Sequence, residues 1–445
     1  MKNVKNLISL LSIVAVSFTA CKKNEPNSAA FNKRSTSAAD YFPQSTYPVV
    51  AISGDIISNT TWTAGNVYEL NGVVTVRNGA TLTIEPGTYI KASVNTIGVQ
   101  NGILVIAKDG KINAVGTATD PIVFTSSYLL DTNPTTAGTP GDFGGVAILG
   151  NAPINTGTKA LDGLPNLPQF YYGGTNATDN SGTFQYVRIE YAGFTLAPNQ
   201  EINGLTLGAV GSGTTIDHVQ VSYGFNDAFD FFGGTVNANN LVALASFDDQ
   251  FDFNNGYNGT IQYAIAVADK NTLHSISGGN SDSNGIESDN NTPAEDPTFS
   301  LLPKTHPTLI NLSIFGTENT SAILGLGYRF GIRERRGSEI DLYNTIVSGY
   351  PRGIVFDADA SASPSTITNT AVHGFVSSIT VSVGAYTGGF NTLVVNASNA
   401  STFGVIQPWY NTPGSALTLD FTGGSNGAIP TGTANWTSGW TKFVF

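Results

Sequence analysis

Only 1 of the 445 residues is cysteine, so no disulfide framework can form within the chain and no thiolate metal cluster can be built. Charge is also sparse, at 12% of residues, and Lys plus Arg number 20 against 32 Asp plus Glu. The resulting net charge of −12 has the wrong sign for holding a phosphate backbone or an anionic bilayer, so nucleic acid is not an expected partner. Lys, Glu and Leu, the builders of amphipathic helices, are scarce, which disfavours a helical bundle or coiled coil. With 4 His there is little material for a zinc site, and no Ser-His-Asp signature or phosphate-binding glycine loop occurs. What the chain has instead is glycine, 50 residues of it, with Asn, Thr and Ser crowded between short apolar runs. The hydrophobic fraction of 40% is ample for a core.

Residues 1–20 read as an export signal: Lys2 and Lys5 precede the apolar run Leu7 to Val16, too short for a permanent span. The sole cysteine, Cys21, directly follows Phe18-Thr19-Ala20. This resembles the lipobox of bacterial lipoproteins, which implies acylation of Cys21, a membrane anchor through that lipid, and an exported protein on the outer membrane or cell surface. Lys22 after the cysteine points to the outer membrane rather than to inner-membrane retention. Residues 21–45 are polar with no alternation and read as a flexible tether.

Beyond the tether, runs of four to eight residues rich in Val, Ile, Thr, Phe and Tyr are punctuated by Asn-Gly, Gly-Gly and Asp-Gly, which predicts strands. A repeat shows how they are arranged. Asn226-Asp227-Ala228-Phe229-Asp230-Phe231 returns at Asp248-Asp249-Gln250-Phe251-Asp252-Phe253, every position displaced by 22. The flanking strand steps from Val219 to Leu241 to Tyr263 and from Val221 to Ala243 to Ile265. A constant offset is the mark of stacked coils, because antiparallel hairpins would pair residues in mirrored order. The fold class is therefore all-β, a right-handed single-stranded parallel β-helix with coils of about 22 residues. It is assigned to residues 46–430, with 431–445 as a C-terminal cap in which Trp436, Trp440 and Phe443 close the open end. About 12 to 14 coils and a monomeric rod on the order of 60 Å long are expected.

The segments 81–92, 102–127, 141–155, 201–223, Gly285-Ile286-Glu287-Ser288-Asp289-Asn290 and Trp436-Thr437-Ser438-Gly439-Trp440 resemble those of a widespread group of bacterial surface lipoproteins. That group is assigned to the pectin-lyase-like superfamily, and the resemblance implies fold and location without bringing a catalytic residue.

If the repeated phenylalanines stack inside the coil, strand alternation turns Asp230 and Asp252 outward, and the next step of 22 lands on His274. Asp248 and Asp249 lie close by in the chain, with Asp227, Asp249 and Asn271 forming an edge column. Two carboxylates about 4.8 Å apart repel by roughly 3 to 4 kcal/mol at an effective dielectric near 20. A screened acidic ladder or turn caps is the plain reading; Ca²⁺ at Asp230, Asp252, Asp248 and Asp249, or a catalytic carboxylate pair, are the alternatives. No cofactor is required. Ser277 to Pro307 reads as a long inserted loop that carries the candidate ligand contacts Glu287 and Asp289. Arg329, Arg333, Arg335 and Arg336 form either an anion clamp or salt bridges to that loop. Phe170-Tyr171-Tyr172 offers Tyr171 and Tyr172 as sugar platforms or, equally, as loop packing.

Hydrolases of the superfamily use an aspartate cluster with Gly-His-Gly and Arg-Ile-Lys elements, and here only Val372-His373-Gly374 and Arg188-Ile189-Glu190 echo them. Lyases of the superfamily need Ca²⁺ or a basic cluster and a Lys or Arg as base, for which Lys270, Arg333 and Arg335 are available without matching a motif in spacing, and Asp230, Asp252, Arg333 and Arg335 are the candidate catalytic residues of a lyase or hydrolase. The expected function is therefore binding of a polysaccharide or another extended ligand. A polysaccharide lyase or hydrolase, and a structural or adhesive surface protein, are the alternatives.

Overall fold

The computed structural model describes residues 23–24, 45–94, 102–133, 136–197, 200–269, 275–277, 280–317, 327–383, 393–395 and 426–443. The signal segment and Cys21 lie outside the described residues. No α-helix occurs among the described residues, and 24 strands join one sheet whose pairings are all parallel. Each strand pairs with its equivalents one coil before and one coil after, which is the ladder of a parallel β-helix.

Inside the coils, side chains of like kind stack. Leu205 is followed along the ladder by Phe229, Phe251, Ile286, Ile332 and Ile354, all buried. The Phe229 and Phe251 rings lie 5.1 Å apart and within 9° of parallel, so the stacking follows from the strand spacing itself. Full burial of each such ring contributes about 1.5 to 3 kcal/mol.

From the strand Gly182–Glu190 onward, the described coils turn sharply at one residue in the left-handed region. This corner column contains Tyr186, His218, Asn240, Tyr263, Asn311, Asn344 and Asn369, with φ between 47° and 60°. Asn is favoured there because its short polar side chain tolerates that conformation. The column corrects the constant step of 22. Val219 pairs with Leu241, but Leu241 pairs with Ala264 and Ala243 with Ala266, a step of 23. The added residue falls between Phe253 and Thr260, and it puts Tyr263 at the corner rather than in the strand row. Coil length also grows further on: Asp252 pairs with Glu287 and Glu287 with Arg333.

The expected loop from Ser277 to Pro307 is interrupted by a ladder strand, Asn284–Asp289, whose six residues are all buried. Glu287 and Asp289 therefore sit on the rigid sheet, because Ile286 continues the inward column and carries its neighbours into register. Before this strand, a short antiparallel hairpin pairs Ile276–Ser277 with Asn280–Ser281, and Lys23–Asn24 adds to its edge.

The C-terminal segment is not an end cap. Residues 426–443 form a strap laid back along the side of the helix, down the corner column. Asn426 donates to the Asn369 carbonyl, Asn311 donates to the Gly427 carbonyl, and the Gly427 amide donates to the Asn344 carbonyl. At its far end the Arg188 guanidinium donates to the Trp440 carbonyl, and Gln220 exchanges two hydrogen bonds with the Lys442 backbone. The reason is the outward row Arg188, Gln220, Val242, Ile265, Ser313, Ile346. Its apolar members would face water, and Ala428, Ile429 and Trp440 bury them in a second core with Leu244, Val267 and Phe315.

Candidate functional site

On another face of the helix, one outward row changes character along the ladder. Val105 and Ala147 are followed by Thr206, Asp230, Asp252, Glu287 and Arg333, then Val355. The apolar start is covered by an excursion of residues 150–181, whose Ile154, Leu161, Leu164, Phe170 and Tyr172 pack on Val105, Ala147 and Leu149. The charged middle is crossed by the same excursion and by residues 290–305. Asn155 donates to the Asn290 carbonyl at 2.6 Å, and Lys159 pairs with Glu295 at 3.1 Å.

Asp230 is 2% exposed, and Asp252 is partly exposed with its Oδ1 buried and without a hydrogen-bond partner. Asn203 donates to Asp230 at 2.6 Å and Asn254 to Asp252 at 2.7 Å, and Asn226 in turn donates to Asn203. One carboxylate oxygen from each of Asp227, Asp230 and Asp252 lies within 4.8 Å of the others. The same holds for Asp227, Asp248 and Asp249. Burial pushes the Asp230 carboxyl well above the usual carboxylate range, and the charge of Asp227 adds to it while Asn254 and Lys159 oppose. Burial does the same to Asp252, followed by the charges of Asp230 and Asp227. Asp249 has a second task, since its Oδ1 accepts from the Asn284 amide at 2.6 Å while its own amide donates to Asp227 Oδ1.

Beyond the aspartates the row is compensated. Arg333 pairs with Asp282 at 2.9 Å, Glu287 at 3.0 Å and Asp357 at 2.9 Å. Arg335 contacts Glu287 and forms a fork on Asp289 at 2.6 and 2.9 Å, and Arg336 also reaches Asp289. Although burial works against the charged form, Glu287 and Asp357 hold the Arg333 guanidinium above its ordinary pKa, and Asp289 and Glu287 do so for Arg335. Burial pushes Glu287 up to about 7 against the pull of Arg335 and Arg333. Strand spacing explains the network, because Glu287 and Asp289 face Arg333 and Arg335 directly across one ladder step.

Several sequence-predicted residues lie elsewhere. Asp252 is followed in its row by Glu287 rather than His274, and His274, Asn271 and Lys270 lie outside the described residues. Tyr172 is 1% exposed, stacked on Phe232 at 5.9 Å, so it offers no face to a sugar. Tyr171 is half-buried and donates its hydroxyl to Asn166. Phe170 and Tyr172 pack in the apolar cluster of the excursion, while Tyr171 pairs in register with Ala160 and stays partly exposed. His373 is likewise buried in its strand. Sequence reasoning assigned no site role to Asn203, Asn226, Asn254 or Lys159; Asn226, at the head of the repeat, and Asn254, two residues after Asp252, carried a local signal.

A parallel β-helix with a charged outward row is the class that this architecture defines. The chain belongs to the family described as the pectate-lyase like beta helix domain, which matches residues 54–441. At that level it is a surface or polysaccharide-related protein. No curated protein matches the chain closely enough to refine that assignment.

Proposed function

We propose that this is an exported, lipid-anchored cell-surface β-helix that binds an extended polysaccharide, with the partly exposed Asp252 and Arg333 of the charged row as the groups within a ligand's reach. The observation that carries the reading is the row itself: five consecutive strands place Thr206, Asp230, Asp252, Glu287 and Arg333 at one strand position, with Asp252 and Arg333 partly exposed above the buried Thr206, Asp230 and Glu287. Side chains repeated at about 4.8 Å suit a chain-like ligand better than a compact one. A hard divalent cation fits the aspartate end. The donors are all oxygen, they converge within 4.8 Å, and the buried Oδ1 of Asp252 has no hydrogen-bond partner. Asp227, Asp230 and Asp252 would hold such an ion, and its charge would offset both the burial that chiefly raises the two outward carboxyls and the repulsion that adds to it.

Binding is favoured over cleavage by the state of the arginines. A base must surrender its proton near neutral pH, whereas Arg333 and Arg335 are held in their charged forms by carboxylates. A glycan array with the lipid-free protein, followed by product analysis on every hit, tests the proposal. Retention without chain cleavage is expected. Unsaturated or reducing-end products would replace it by a lyase or hydrolase, and silence on the array by an adhesive role.

A further inference from the structure

The arginines that follow one another in the chain, Arg329, Arg333, Arg335 and Arg336, differ in state. Arg333, Arg335 and Arg336 are taken up by Asp282, Glu287, Asp289 and Asp357. Arg329 makes no ion pair or side-chain hydrogen bond among the described residues, nor does Arg352, and both are partly exposed. The ladder brings these two together. Phe330 pairs in parallel register with Arg352 of the next coil, so their side chains leave one face of the sheet a single strand spacing apart. The Arg329 guanidinium lies over the Phe330 ring, 4.6 Å from its centroid, and that of Arg333 lies over the same ring at 5.4 Å. Burial lowers the Arg329 pKa, and the charges of Arg333 and Arg352 add to this against the pull of Asp282 and Asp357. One step beyond Arg352 stands Ser377, partly exposed, its hydroxyl 2.8 Å from Thr380 Oγ1.

We propose that Arg329 and Arg352 form an anion site at the arginine end of the charged row, taking a carboxylate or sulfate group carried by the polysaccharide. The inference rests on the polysaccharide reading and narrows it to acidic chains. Guanidinium forks match planar oxyanions, and a negative charge between two cations turns their mutual repulsion into attraction. Arg333 does not serve in this way, because three carboxylates already occupy its N–H groups. The Phe330 ring holds the Arg329 guanidinium in place before the ligand arrives, which lowers the entropy lost on binding. From the strand of Asp252 to that of Arg352 the ladder takes three steps, roughly 14 Å at the usual strand spacing, so a chain lying along the row reaches both ends.

Native affinity electrophoresis of the full chain tests this in three gels, containing polygalacturonate for carboxylates, dextran sulfate for sulfate esters and dextran as the neutral chain. Retardation is expected in at least one charged gel, and the gel that retards identifies the group. Arg329→Gln and Arg352→Gln should each raise the apparent Kd roughly tenfold, the effect of losing one charge-assisted hydrogen bond. Lys111→Gln removes the same charge from an exposed position on the strand Lys111–Val115 and should leave retardation unchanged. Urea midpoints equal to the wild type establish that the variants are folded, and should Arg329→Gln lose its fold, Arg352→Gln decides by itself. Retardation by dextran alone leaves the polysaccharide reading standing and overturns the anion site. Retardation in a charged gel that is the same for wild type and Arg352→Gln also overturns it, and retardation in none of the three gels removes the polysaccharide reading with it.

Discussion

Replacing Glu334 by Gln should stabilise the protein in alkali and leave it nearly unchanged in acid. Glu334 is fully buried on the inner side of the strand Phe330–Arg335, between Ser288 of one coil and Phe356 of the next. Its Oε2 accepts from the Ser338 hydroxyl at 2.7 Å, and its Oε1 has no partner. Burial, with smaller help from the charges of Asp289 and Glu339, pushes the carboxyl up to about 8 from an ordinary 4.5. Because the folded protein holds this proton more tightly than the unfolded chain, the stability it confers is complete below pH 4.5 and is lost as pH rises through about 8. At 1.36 kcal/mol per unit, the gap corresponds to roughly 5 kcal/mol. Urea unfolding of wild type and Glu334→Gln at intervals from pH 4 to 9 measures it. The difference between the two should grow with pH by several kcal/mol in favour of the variant. Parallel pH profiles would refute the argument, since the neighbouring carboxyls are common to both proteins and cancel.

Three further outcomes are expected. Millimolar Ca²⁺ should raise the melting temperature, since a cation bound only by the folded state stabilises it by mass action, and Asp252→Asn should remove that rise; identical melting with ion and with chelator would dismiss the cation site. Phe251→Ala empties part of the stack between Phe229 and Ile286 and should cost about 3 to 5 kcal/mol in denaturant unfolding, with a loss under 1 kcal/mol counting against the packing account. Cys21→Ser should leave an unprocessed precursor that takes up no fatty-acid label, and normal membrane retention of that variant would exclude the anchor.

The β-helix was legible in the sequence because its signal is local. Two successive coils happen to have equal length, so Phe229 and Phe251, and Asp230 and Asp252, stand 22 residues apart, and alternation alone assigns one pair inward and the other outward. The next members of the row were hidden. Asp252 meets Glu287 after 35 residues and Glu287 meets Arg333 after 46, because turns between strands absorb insertions without disturbing the ladder. A fixed period therefore points past the true partner, first by one residue at Tyr263 and then by a whole excursion at His274. Burial of Tyr172 and the course of the strap were equally beyond the sequence. An aromatic trio reads the same whether it faces a sugar or Phe232, and nothing in Trp436 or Trp440 names Tyr186 or His218 as a neighbour. Sequence determined what repeats, since coils stacked one strand spacing apart keep apolar side chains in the same inward columns, as at Phe229 and Phe251. Tertiary structure alone decided which face each excursion and the strap cover, because those contacts join residues up to 252 positions apart and are chosen by the apolar surface left exposed.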